Sequence, residues 1–208
     1  MADRVDDAVR DESTDDRAER RRDAARQKIL GAAAQRLAEH GYGATSLADV
    51  SLLSDVEPAV VSFHFPTVED LVEAVLRAGI GHARQAINEA LDVSDATTGA
   101  EQLGVAIDAY LRAISLNEHV TRANIRCYRS VPPVVRRGLA VHMREFVETW
   151  TELIGAGMAD KTLRPDLNPE LAARVLIAAL NSTLTRPEEN IEATAAQLQT
   201  MILGGLRA

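Results

Sequence analysis

From Ala24 onward the apolar residues recur at helical spacing. Ile29, Ala33 and Leu37, with Leu30 and Ala34 offset by one, make a single stripe that ends at His40-Gly41. Gly41 suits the residue after a helix C-terminus, where a positive φ is needed. A short helix is predicted over Leu47 to Leu53, with Thr45 or Ser46 as its N-cap. After a break at Ser54-Asp55, Pro58 opens a second short helix through Phe63, and Pro66 closes it. Thr67-Val68-Glu69-Asp70 then reads as a variant capping box opening a long helix from Glu69 to about Leu91.

The rest of the chain continues in helices. Thr98-Gly99-Ala100-Glu101 opens one that reaches about Leu116, and another covers roughly Val120 to Ser130. Pro132-Pro133 predicts a short connecting turn of helix. Leu139, Met143, Phe146, Trp150 and Leu153 follow a 4-3-4-3 spacing, the seam of a helix packed along a partner. Asn168-Pro169-Glu170 and Arg186-Pro187-Glu188 start the last two helices, over 168–185 and 188–206, and Gly204-Gly205 ends the second. Phe63, Phe65 and Tyr42 are expected to pack the core of a small three-helix unit.

Composition agrees with the pattern. Ala and Leu dominate and aromatics are only 3% of 208 residues, which favours helix throughout. The fold class is all-α: a small N-terminal three-helix unit and a larger C-terminal helical domain. Cys127 is the sole cysteine, so neither an intramolecular disulfide nor a multi-cysteine metal site is available. No apolar run has the length of a membrane span and no secretory signal is present, so a cytoplasmic protein with no membrane partner and no cofactor is expected.

Charge changes the picture locally. Residues 1–19 are net acidic, poor in large apolar side chains, and expected to be a disordered tail. The sign then reverses, with Arg20, Arg21, Arg22, Arg26 and Lys28 within nine positions. Such a run reads either as a solvated helix start or as a basic arm along a phosphate backbone. Between Arg36 and Arg77 there is no Lys or Arg, while seven carboxylates fall in the interval. A face so charged releases no counterions, and it lacks the bidentate Arg or Lys contact to guanine.

The stretch RQKILGAAAQRLAEHGYGATSLADV, followed by VVSFHFPTVEDLVEAVL, resembles the DNA-binding domain of TetR-family repressors over about 45 residues in register. The run from Asn124 to Asn181, with its Pro-Pro element and the turn Leu163-Arg164-Pro165-Asp166, looks more loosely like the ligand domain of TetR regulators of steroid and fatty-acid catabolism, which sense acyl-CoA thioesters. The resemblance implies a homodimer on double-stranded DNA, with the last two helices forming a four-helix interface, and a small-molecule effector such as an acyl-CoA or other hydrophobic anion. It also exposes departures: Asp55 stands where the family has a turn glycine, Glu57 where it has a Ser or Thr cap, Pro58 where Lys is common, Ser62 where Tyr is usual, and Val68 in place of a phosphate-binding Lys.

Candidate DNA contacts are therefore Arg20, Arg21, Arg22, Arg26, Thr45, Ser54, Ser62, His64 and Thr67. Arg122, Arg126 and Arg129 are spaced to put three guanidiniums on one helix face, fit for an anion or for surface ion pairs. With Tyr110, Cys127, His142, Trp150 and Asn181 they form the ligand-site candidates; Asn181, Ser182 and Thr183 interrupt an apolar helix and need partners if buried. The domain division expected is 1–19 tail, 20–70 helix-turn-helix and 71–208 ligand binding and dimerisation. The reading favoured is a dimeric, ligand-responsive regulator, a repressor by resemblance. Alternatives are a TetR-like fold that has lost operator binding and acts as a ligand or protein-interaction module, or an enzyme reusing the pocket. No zinc-protease, nucleophile-elbow or phosphate-loop motif supports the last.

Overall fold

A computed structural model describes residues 3–182 and 191–207. Among the described residues there are nine α-helices and no β-strand: α1 (Asp3–His40), α2 (Leu47–Ser54), α3 (Pro58–His64), α4 (Val68–Asp92), α5 (Gly99–Leu116), α6 (Glu118–Cys127), α7 (Pro133–Ala159), α8 (Pro169–Ser182) and α9 (Ile191–Leu206). A single 3-10 turn, Tyr42–Ala44, joins α1 to α2. The expected turn at Pro132-Pro133 is the first turn of α7 itself, because proline at the first helical position costs no hydrogen bond.

Local chemistry sets the helix starts. Ser46 with Asp49, Thr67 with Asp70 and Thr98 with Glu101 each form a reciprocal capping box. Asn168 Oδ1 accepts the Leu171 amide at 2.9 Å and opens α8. Gly41 has φ 79° at the end of α1, as its position predicted. Asp55 has φ 52° and ψ 43°, so an L-residue occupies the left-handed turn between α2 and α3.

α1 runs without interruption from Asp3 to His40. No Gly or Pro stands between Asp3 and Leu30 to stop it, and Arg20 sits 3.6 Å from Asp16 one turn away. Side chains from Asp16 to Lys28 are exposed or half-buried, and the core begins at Ile29.

One hydrophobic cluster then runs from Ile29 in α1 to Leu180 in α8. α4 is the spine, packing on α1, α5, α6 and α7; α8 lies on α7, and α9 on α5 and α8. The 4-3-4-3 seam of α7 faces this core, with Leu139 and Trp150 fully buried. Gly99 and Gly157 let α5 and α7 touch backbone to backbone: a Cβ on Gly99 would lie 2.2 Å from the Gly157 nitrogen. The proposed start of the last helix at Arg186-Pro187-Glu188, and Thr183, lie outside the described residues.

Candidate functional site

Two regions bring candidate residues together, and α6 stands between them. The first is the helix-turn-helix. Its core is Ile29, Leu37, Val50, Val61 and Phe65, all buried. Phe63, expected in that core, is instead 71% exposed, and Leu52 is 86% exposed. Both project from short helices whose buried sides are already occupied by Val50, Ser51 and Val61. The outer face therefore carries Leu52, Leu53, Phe63, Ser62, Asp55 and Glu57, apolar and acidic together.

Several hydroxyls proposed as DNA contacts are already engaged. Thr45 is buried and donates to the Gly41 carbonyl at 2.9 Å. Ser54 donates to the Ser51 carbonyl at 3.3 Å. Thr67 donates to Asp70 Oδ2 at 2.6 Å and accepts the Asp70 amide. Ser62 is exposed, and half-buried His64 lies edge-on to Phe63 with ring centroids 5.4 Å apart. Tyr42 donates to Glu69 Oε1 at 2.8 Å; partial burial and then this neighbouring carboxylate raise its pKa.

Of the basic residues, Arg26 lies over the Phe65 ring at 5.5 Å and Arg36 sits 3.8 Å from Asp49. The Asp49 carboxyl is held below its usual range by the Ser46 hydrogen bond first and by Arg36 after it. Arg20, Arg21, Arg22 and Lys28 are exposed on α1, ahead of the two short helices of the motif.

The second region is a cavity of about 440 Å³ at the centre of α4, α5, α6, α7 and α8. Its walls are mainly apolar: Ile80 and Ala83 from α4, Ile114 from α5, Ile125 from α6, Met143 and Phe146 from α7, and Ile177 from α8. Polar groups are few. Tyr110 donates to Asn181 Oδ1 at 2.6 Å, and burial pushes the phenol well above its ordinary pKa. Asn124 donates to the Val120 carbonyl of its own helix, and Arg129 is the cation of the wall. Gly79 lets α6 approach α4, since a Cβ there would meet Asn124 Nδ2 at 2.3 Å. Volume and lining are those of a small-molecule site.

Tyr110, Arg129 and Asn181 were legible candidates and line this cavity. The others sit elsewhere. Trp150 is a layer behind, edge-on to Tyr110 and Phe146 at 5.7 and 6.3 Å. His142 is on the flank of α7, 3.9 Å from Glu145, which also pairs with Arg84. Arg122 is half-buried on α6 and does not line the cavity. Arg126 and Cys127 face the other way, onto α1: Arg126 Nη1 donates to the Ala38 carbonyl at 3.3 Å and Cys127 Sγ to the Leu37 carbonyl at 3.7 Å. The three arginines thus do not form one grip, because Arg126 turns to α1 and Arg129 lies past the end of α6. Residues that sequence reasoning missed are Thr121, Asn124 and Ile125, whose 3-4 spacing marks one face of α6.

α6 is therefore shared. Thr121, Asn124, Ile125 and, just past its end, Tyr128 line the cavity, while Ala123, Arg126 and Cys127 lie against the DNA-binding side or the core. The Leu37 carbonyl also accepts the Gly41 amide at 2.9 Å, while Arg126 reaches the Ala38 carbonyl in the last turn of α1, where a helix leaves carbonyls without intrahelical donors. An arginine there also complements the helix dipole.

Residues 29–75 match the model for bacterial regulatory proteins of the tetR family, and residues 96–185 match that for the tetracyclin repressor-like C-terminal domain. The chain belongs to the TetR family. It is a TetR-family transcriptional regulator with a helix-turn-helix of the DNA-binding kind. It is similar to the HTH-type transcriptional repressor KstR2 of Rhodococcus jostii, at 28% identity over 191 residues, 87% of this chain and 90% of that one. Two solved structures share the TetR fold. The ketosteroid transcriptional regulator KstR2 of Mycobacterium tuberculosis has a TM-score of 0.74 at 20% identity, over 88% of this chain and 95% of that one. The fatty acid degradation regulator FadR of Bacillus halodurans has a TM-score of 0.77 at 19% identity, over 88% and 96%. No helix among the described residues is long and apolar enough to cross a membrane.

Proposed function

We propose that this TetR-family regulator is a dimeric repressor whose operator affinity is set by a small apolar anion in the five-helix cavity. The observation that carries the reading is the double contact of α6. Its cavity-lining residues and its donors to Leu37 and Ala38 lie on one ten-residue helix. A ligand that shifts α6 favours one placement of α1 and of the helix-turn-helix over another, and its differential affinity for the two is the coupling free energy.

The effector class follows from the cavity and is supported by the similar proteins. The walls are apolar, Arg129 is the charged group among the described lining residues, and the names of the relatives concern ketosteroids and fatty acid degradation. An acyl-CoA or another hydrophobic anion fits that description. Dimerisation through α8 and α9 is supported by an uncovered apolar stripe, Leu171 and Val175 at 62 and 61% exposure with Met201 at 73%. A two-fold dimer supplies the two readers a palindromic site requires.

On the DNA we assign the phosphate contacts chiefly to Arg20, Arg21 and Arg22 of α1, with Ser62 and His64 on the groove side. The test is fluorescence anisotropy of the full chain on labelled DNA from around its own gene, against scrambled DNA, across a salt series. Saturable, sequence-preferring binding that weakens with salt is expected. A folded dimer that binds neither DNA at low salt overturns the repressor reading and favours a protein that acts through ligand or partner alone.

A further inference from the structure

Tyr110 and Asn181 come from α5 and α8, 71 positions apart, and meet inside the cavity wall. Their mutual hydrogen bond uses one donor and one acceptor. As placed, the amide Nδ2 of Asn181 has no partner among the described residues, and the phenol oxygen keeps a free acceptor site. If the amide is turned over, Nδ2 donates to the phenol oxygen, and the pair instead presents the phenol O–H and Oδ1. In either orientation at least one donor and one acceptor remain for a third atom.

A group that satisfies both at once must itself donate and accept, and on an otherwise apolar frame the smallest such group is a hydroxyl. A carbonyl uses only the donor, and an alkyl group uses neither. Tyr110 is 4% exposed, whereas Arg129 is exposed, so the hydroxyl reader is deep and the cation is toward solvent. The same cavity is walled by Ile80, Ile114, Phe146 and Ile177.

We infer that the cavity selects a hydroxylated apolar anion: an alkyl or alicyclic frame with an anionic end at Arg129 and a hydroxyl held between Tyr110 and Asn181. This deepens, and rests on, the reading of the cavity as the effector site. A plain aliphatic acid would enter the same walls but cover the pair of buried Tyr110 and half-buried Asn181 without giving it a third partner, which carries a desolvation penalty.

Trp150 reports occupancy. It is the chain's single tryptophan and packs edge-on against Tyr110 and Phe146, so its emission responds to what fills the cavity. The probes are ω-hydroxylated fatty acids of about eight to twelve carbons, a length range matched to a drug-sized pocket, each titrated beside its unhydroxylated parent. For the best-fitting length the hydroxy acid should bind about tenfold tighter than its parent, the scale of one net hydrogen bond to a buried group. Tyr110→Phe and Asn181→Ala should each bring that ratio near one. Arg129→Gln should weaken both acids and leave the ratio intact. The near-isosteric Tyr110→Phe keeps the test valid if Asn181→Ala fails to fold.

A ratio near one for every length in the wild-type protein, with both acids bound, overturns the hydroxyl assignment and leaves the effector site standing. A ratio that survives in both pair variants also overturns it. No response of Trp150 to any of the acids overturns the assignment together with the effector-site reading.

Discussion

The basic stretch of α1 gives the account its most quantitative exposure. No Lys or Arg lies between Arg36 and Arg77, Arg36 sits beside Asp49, and Arg26 is stacked over Phe65. Arg20, Arg21 and Arg22 are exposed, and the Arg20–Asp16 pair at 3.6 Å is between side chains 81 and 62% exposed, where an ion pair holds little. Consecutive residues step by about 100° around a helix, so the three fan over about 200° and one duplex reaches two of them. Each phosphate held adds about 0.9 to the slope of log affinity against log salt. Replacing all three by Gln should therefore cut the slope by about 1.8 per protomer, or roughly 12-fold of the affinity change between about 50 and 200 mM salt. Gln is a good helix former, so α1 should persist, which circular dichroism checks. The assay is anisotropy on the same DNA at four or more salt concentrations, with Arg112→Gln on α5 as a control. An unchanged slope in the triple variant, with the helix intact, would show that other groups hold the phosphates and would refute the assignment.

Three further outcomes follow from packing and turn geometry. Asp55→Gly relieves a left-handed L-residue at φ 52°, partly offset by the looser unfolded chain, so thermal unfolding should move up by about 1–3 °C, for a gain of a few tenths to about 1 kcal/mol. A lower melting point would mean that the Asp side chain stabilises the turn. Gly99→Ala sets a Cβ against the Gly157 backbone at 2.2 Å and should cost about 1–3 kcal/mol or more in denaturant unfolding. A neutral result would show that α5 and α7 separate easily. Cys127 is fully buried, and burial raises its thiol pKa, so a thiol reagent at neutral pH should label it only as fast as the chain opens. Prompt stoichiometric labelling would contradict the α1–α6 seam.

What was legible in the sequence was local. Thr67 with Asp70, Thr98 with Glu101, and Asn168 before Pro169 act over three or four residues, so their spacing is enough to place helix starts. The seam of α7 was legible for the same reason: a helix repeats, and burial follows the repeat. The outcomes that differed were tertiary. The helix period places Phe63 on a face, yet whether a neighbour covers that face depends on how α1, α2 and α3 meet. Arg122, Arg126 and Arg129 share a spacing but not an environment, because α6 is covered by α1 on one side and by the cavity on the other. Tyr110 and Asn181 were each marked as candidates, but their pairing joins α5 to α8 and no short-range pattern encodes it.

The central claim is that the cavity and the DNA-binding domain are coupled through α6. It is tested most directly by titrating the protein–DNA complex with the tightest-binding hydroxy acid while Trp150 emission records that the cavity is filled. The account predicts that filling the cavity weakens DNA binding at least about fivefold, and that DNA weakens the acid by the same factor, as linkage requires. DNA affinity unchanged with the cavity demonstrably occupied would contradict it.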